Sequence, residues 1–182
     1  MFGKKPGRYL PQSGISYARF AGLDVTTDIL DKKEIDGTLP DVVDRCATIM
    51  RDSIPVPALI QDLRREEKDI LPVVVIREAL VNAVVHRDYS IGRSKIRVFR
   101  FPDRIEVRSP GRLPNTVSIE KMKVGVSFSR NPFLLQHLQN LRYMDRLGRG
   151  IPTIIRQMIN LVGKEPGLEE KGEEFILTLY ID

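Results

Sequence analysis

Residues 72–86 read PVVVIREALVNAVVH, and the pattern in this stretch decides the fold class. All positions but Pro72, Arg77, Glu78, Asn82 and His86 are apolar, so a helix here is buried around most of its circumference. Pro72 suits the first helical turn, where a missing N–H costs nothing, and the pattern predicts a helix over 72–87. Glu78, Asn82 and His86 fall at i, i+4 and i+8, within about 80° of one another at 100° per residue. A carboxylate and an amide buried along one line each cost free energy unless something satisfies them. A ligand, a metal or a structural network has to do so.

Downstream of Gly92 the period changes from 3.6 to 2. Residues 95–101 and 104–109 read as a hairpin closed at Pro102-Asp103, and Pro110-Gly111-Arg112-Leu113-Pro114 ends its second strand. A short helical stretch at 118–123 leads to Ser129-Arg130-Asn131-Pro132, which opens a helix over 132–141. Leu147-Gly148-Arg149-Gly150-Ile151-Pro152 opens another that runs to Val162, and EFILTLYI at 174–181 alternates as a strand. Upstream lie an extended run at 15–21, a turn-rich stretch, and a helix at 40–52 whose apolar stripe includes Cys46 as an inert core thiol. The segment 54–69, with Pro55, Pro57 and the charge run from Arg64 to Asp69, reads as a surface connection. The expected organisation is an amino-terminal strand-and-helix extension (1–60) packing on a main domain (61–182). The expected fold is a two-layer α/β sandwich: a mixed, mostly antiparallel sheet with the helices 72–87, 132–141 and 151–162 on one face.

Composition narrows the function. The 182 residues hold 29 Lys+Arg against 24 Asp+Glu, a formal charge of +5, and 42 % are hydrophobic, which is the size and make-up of one ordinary domain. The longest apolar run, ILPVVVI at 70–76, falls far below the ~20 residues of a membrane span, so no membrane partner is expected. No secretory signal is readable, and a cytoplasmic location is expected. One cysteine and two histidines, His86 and His137, make no cluster at metal-ligand spacing. No G-x-x-x-x-G-K-[ST] is present, so the chain carries no helicase motor. His86-Arg87-Asp88 imitates a kinase catalytic loop, but Arg93 stands where that loop needs Asn, and no D-F-G follows.

Gly148 and Gly150 precede a helix with Pro152 in its first turn, so backbone N–H groups and the positive end of the helix dipole face whatever approaches. That makes an anion site by construction, and a glycine before a helix is also common structure. Four stretches taken in order, REALVNAVVHRDYS, DRIEVRSPGRLP, SRNP and LGRGIPTI, resemble the GHKL ATP-binding fold of histidine kinases, Hsp90-type chaperones and gyrase-type topoisomerases. More closely, they are similar to the carboxy-terminal ATPase-like domain of RecG-related ATP-dependent DNA helicases or transcriptional regulators. The resemblance spans about residues 8–182.

The resemblance implies an ATP-binding module of a DNA-associated regulator with ATP and Mg2+ as cofactors and at most weak Mg-dependent hydrolysis. Glu78 matches the glutamate that polarises the attacking water, Asn82 matches the asparagine that ligates magnesium, and Gly148, Arg149 and Gly150 match the loop that wraps the phosphates. Arg130 and Asn131 fall in the segment that forms the ATP lid, so a phosphate contact and an Asn-Pro helix cap beside a surface arginine are both open. His86 is either a ligand-facing group or a helix-end histidine on the last carbonyls. The first glycine box, normally D-x-G-x-G, aligns with residues 109–113 and departs: Gly111 keeps its place, but Ser109 stands where an aspartate binds the adenine amino group and Leu113 stands for the second glycine. Losing that charge-assisted hydrogen bond costs ~1.5–3 kcal/mol, more than tenfold in affinity. Family members commonly carry flanking domains, an AlbA-like one before and a winged helix after, through which DNA would be contacted, and a homodimer is among the assemblies the resemblance allows. The alternative from a different class is an interaction or dimerisation scaffold that keeps the fold without nucleotide.

Lys and Arg are scattered, with no recognition helix and no aromatic-basic interleaving evident in the sequence. This isolated chain is therefore expected to bind DNA without sequence preference and no tighter than the non-specific range of ~10⁻⁴–10⁻⁶ M at ~0.15 M salt, as read by fluorescence anisotropy. Nanomolar, sequence-selective binding would contradict that expectation.

Overall fold

The structure, a computed structural model, describes residues 6–55, 58–61, 64–67, 70–126, 128–144 and 149–181. In chain order the strands and α-helices are β1 (Ile15–Phe20), β2 (Ile29–Ile35), α1 (Leu39–Asp52), β3 (Ala58–Gln61), β4 (Arg64–Glu67), α2 (Val73–His86), β5 (Ile96–Arg100) and β6 (Arg104–Pro110). They continue with α3 (Ile119–Lys123), α4 (Pro132–Asn140), α5 (Gly150–Val162), β7 (Gly167–Lys171) and β8 (Glu174–Tyr180). Six strands form one sheet in the order β2-β1-β5-β6-β8-β7. Every pairing is antiparallel except β1 with β5, which run parallel from Ile15 opposite Ile96. β3 and β4 pair separately as a two-stranded ladder. The expected α/β class and the mixed, mostly antiparallel sheet are what the chain forms.

The core explains the layering. Ile96 and Val98 of β5, Ile105 and Val107 of β6, and Leu177 and Leu179 of β8 all point to one face, as period-2 geometry demands. Against them pack Val42, Cys46 and Met50 of α1, eight buried side chains of α2, and Ile151, Ile154 and Met158 of α5. Burying each large aliphatic side chain contributes roughly 1.5–3 kcal/mol, so α2, flanked by both α1 and α5, is the centre of the helical layer. Cys46 is fully buried, and desolvation pushes its thiol pKa up to about 12.

The other face of the sheet is closed without helices. Phe20, Phe99 and Phe101 form a separate aromatic cluster, Phe20 stacked on Phe101 at 5.1 Å. Arginines roof it: Arg108 lies 4.8 Å from the Phe99 ring and Arg104 lies 4.2 Å from Phe101. Both guanidiniums are held by Glu106, at 2.5 and 2.8 Å, and Arg97 pairs with Glu174. Stacked and paired, these side chains cover apolar surface with their stems while their heads stay wet.

Three strand regions differ from the sequence reading. The turn-rich stretch after β1 contains β2 (ILDKKEI), the expected surface connection contains β3 and β4, and β7 (GLEEK) pairs outside β8. β2 and β7 are the sheet edges. Charged edge strands lack the apolar alternation of half-buried ones, and lysines such as Lys32 and Lys33 discourage pairing with another chain. β1 and β2, although part of the 1–60 segment, are two of the six strands of the main sheet. Pro57 and the end of the charge run at 64–69, Lys68-Asp69, lie outside the described residues.

Arg87, which follows α2, is fully buried. Its Nη1 donates to the Asp88 carbonyl at 2.8 Å, and its Nη2 donates to Ile91 at 2.8 Å and Ser94 at 2.5 Å, while the guanidinium stacks on Tyr89 at 4.7 Å. The kinase-like triplet is thus the structural plug of the turn after α2. Arg87→Leu, which leaves those carbonyls without a donor, is expected to cost about 3 kcal/mol, a fall of roughly 6–12 °C in thermal midpoint by calorimetry.

Candidate functional site

The polar stripe of α2 opens on a cavity of about 130 Å³ lined also by Ser109, Gly111 and Gly150. Glu78, Asn82 and His86 are each half-buried. The opposite wall is apolar, with Leu113, Val117, Met122, Val126, Phe128 and Ile151. An apolar cavity of about 150 Å³ accepts a benzene ring, and this one is of comparable size.

The stripe meets the start of α5 at Gly150, the first residue of that helix. A Cβ there would stand 2.7 Å from Glu78 Oε2 and 2.9 Å from Asn82 Nδ2, closer than real side chains approach. Glycine is what lets the helix terminus close on the carboxylate and the amide. Asn82 Nδ2 donates to the Glu78 carbonyl one turn back at 2.7 Å, which directs Oδ1 away from its own helix. Arg149 precedes α5 and is exposed, and its carbonyl accepts the Thr153 N–H at 2.8 Å. Gly148 lies outside the described residues.

β6 carries the next two candidates. Ser109 is buried, and its hydroxyl donates to the Ala83 carbonyl at 2.9 Å. With that proton committed, Ser109 offers the cavity acceptor lone pairs. Gly111 has φ +116°, a conformation that L side chains rarely adopt, and a Cβ there would lie 2.7 Å from Asp88 Cβ. Its N–H donates to Glu173 at 2.7 Å.

Arg130 and Asn131 both fasten the segment before α4 to its surroundings. Arg130 pairs with Asp88 at 3.0 Å and donates to the Arg112 carbonyl at 2.6 Å, so it ties together the two ends of the arch 112–130. Asn131 does not cap α4 with its side chain; Nδ2 donates to the carbonyls of Val85 and Arg87, both at 2.8 Å, closing the carboxy-terminal end of α2. His86 therefore has no need to serve those carbonyls. It lines the cavity and hydrogen-bonds the backbone of Phe128. Burial holds its pKa below the ordinary histidine range, with the Phe128 bond opposing and the Arg130 charge adding to the shift.

The residues that sequence reasoning missed are Asp88, which anchors Arg130, and Arg112, whose Nε donates to Gly172 at 2.9 Å and whose Nη2 pairs with Glu173 at 3.1 Å. Asp88 also accepts from the Ser90 N–H and hydroxyl within its own turn, but Arg130 lies 42 positions from Asp88, and Gly172 and Glu173 lie 60 and 61 from Arg112, so no local pattern signals those pairings. Among the described residues no group of three or more His, Cys, Asp or Glu could hold a metal ion by itself. Glu78 and Asn82 together suit the one or two protein oxygens from which magnesium is bound when phosphates supply the rest. No helix among the described residues is long and apolar enough to cross a membrane.

Residues 93–179 match the family model described as "Putative ATP-dependent DNA helicase recG C-terminal", the ATPase-like domain of RecG-related proteins. The match covers β5 to β8, with Ser109, Gly111 and Gly150; it begins after α2, so Glu78 and Asn82 stand on geometry alone. The crystal structure of the DIP2311 protein from Corynebacterium diphtheriae has the same fold, with a TM-score of 0.82 at 22 % identity over 92 % of this chain and 34 % of that one. The chain thus spans about a third of that protein's length. No curated protein matches it.

The Gly150 contact is directly testable. Alanine is the better helix former by about 1 kcal/mol, and the nearest atoms an added Cβ would displace, Glu78 Oε2 and Asn82 Nδ2, are the ends of flexible side chains. Gly150→Ala is expected to move the thermal midpoint by no more than about 4 °C, roughly 1 kcal/mol, while displacing both side chains from the helix terminus. Gly92→Ala, where an added Cβ meets nothing within 4 Å, serves as the control and should change it little.

Proposed function

We propose that this chain is the nucleotide-binding module of a RecG-related, DNA-associated regulatory protein of the cytoplasm, with hydrolysis weak or absent. The observation that carries the reading is the closure of the α5 terminus on Glu78 and Asn82 through Gly150. It joins backbone N–H groups and a helix dipole, which suit phosphate, to an oxygen pair that suits magnesium. With ATP and Mg2+ bound, the metal supplies neutralisation of phosphate charge; Asn82 Oδ1 would hold it, and the Glu78 carboxylate would orient a water. The base would occupy the apolar slot, with the Ser109 lone pairs as its polar contact. DNA would be reached through flanking domains, in keeping with the helicase description of the matched family.

The base end supports a weak selector. Where the resembling fold uses an aspartate, Ser109 is neutral and already bonded to Ala83. Calorimetry with ATP and GTP is therefore expected to give affinities within tenfold of one another, with magnesium removal mattering more than the change of base. Asn82→Ala should abolish the magnesium-dependent part. The same Ser109 contact favours the second reading, a scaffold that keeps the fold without nucleotide. No heat with any nucleotide at millimolar concentration would establish that reading in place of the first.

A further inference from the structure

We propose that the two edges of the main sheet are the complementary halves of a head-to-tail contact between copies of this chain, β7 of one copy adding to β2 of the next. Both strands end the sheet, so each keeps an outward row of backbone N–H and C=O groups. β2 is antiparallel to β1, β1 is parallel to β5, and β5, β6, β8 and β7 alternate in direction, so β2 and β7 point the same way. A second copy set beside the first, with its helices on the same side, therefore brings its β7 parallel to β2.

The side chains select a register for that contact. On β2, Lys33 lies opposite the core residue Tyr17 on the helix side, and Lys32 and Glu34 lie on the other face, opposite Ala18 and Ser16. On β7, Glu170 lies opposite Phe175 on the helix side, and Glu169 and Lys171 lie on the other face. One parallel register matches faces and charges together: Lys32 beside Glu169, Lys33 beside Glu170, and Glu34 beside Lys171. All six side chains are exposed. Lys33, Glu34 and Glu170 also hold contacts within their own chain, to Asp31, Lys95 and the Leu113 N–H. Among the described residues Lys32, Glu169 and Lys171 have no ion pair or side-chain hydrogen bond.

Pairing either edge with its own copy about a two-fold axis, helices on the same side, sets one residue against itself. Anywhere in 31–34 or 169–171 that is a like-charge pair, which destabilises. The lysines that discourage an arbitrary strand are thus matched by the opposite edge of the same fold and by neither edge's own copy. Such a contact is heterologous and does not close at two copies.

The test is analytical ultracentrifugation of the parent chain, of Lys32→Glu, of Glu169→Lys and of the two variants mixed, with circular dichroism to verify that each is folded. The parent is expected to associate reversibly at ~0.1–1 mM into species beyond the dimer, at least ~5-fold more weakly at ~0.5 M than at ~0.05 M salt. Each variant alone should lose ~10-fold or more in association constant, because each sets like charges at the pair of positions 32 and 169. In the mixture the substituted β2 of one variant meets the substituted β7 of the other, and the unsubstituted edges meet as in the parent. Association there should return to within ~3-fold of the parent. A parent that stays monomeric throughout, a parent that stops at a dimer, or a mixture that associates no more strongly than either variant would overturn the proposal.

Discussion

Helix α2 has to bury eight apolar side chains in the centre of the core while keeping Glu78, Asn82 and His86 on one side of it in polar company. Much of the surrounding architecture meets those two demands. The sheet and α1 take the apolar faces. On the polar side another fully packed helix would strand a carboxylate, which is costly; α5 instead arrives end-on, presenting its terminus and a residue with no side chain. The cavity is the space this arrangement leaves. It exists because a helix terminus and a polar stripe meet where two apolar surfaces cannot.

The arch over that cavity is secured through the same helix. Asn131 closes the α2 carbonyls, His86 holds the Phe128 backbone, and Arg130 binds Asp88 two residues past the helix end. Because these fasteners all converge on residues 85–88, the arch is hinged on the end of α2. Gly111 belongs to the same device: its positive φ and missing side chain let the chain turn off β6 against Asp88, where Arg130 then binds.

Much of this was legible in the sequence, and the limits have physical causes. α2, the β5–β6 hairpin, α5 and β8 are strongly periodic because their side chains are buried on known faces. β2 and β7 are not, because an edge strand with solvent on several sides is under no pressure to alternate. The i, i+4, i+8 stripe marked the site for the same reason α2 was legible: polar residues stand out on an apolar helix. Arg130 and Asn131 were identifiable as notable but not by role. Their partners, Asp88 and the carbonyls of Val85 and Arg87, lie 42 to 46 positions away, and a backbone acceptor leaves no trace in residue type. Arg87 was hidden inside a misleading triplet, since a buried guanidinium satisfied by carbonyls reads in sequence as a surface charge.

The two ends of the cavity differ in what they can recognise. At the α5 end, charge decides: a helix terminus, a carboxylate and an amide oxygen respond to the net charge of what enters. At the β6 end, the Ser109 proton is committed to Ala83 and much of the wall is apolar, so shape and desolvation weigh more. Apolar contact discriminates weakly between planar rings of similar size, whereas unpaired buried polar groups discriminate strongly. Selectivity in this cavity is therefore concentrated at the α5 end, where Gly150, lacking a side chain, brings the helix terminus against Glu78 and Asn82.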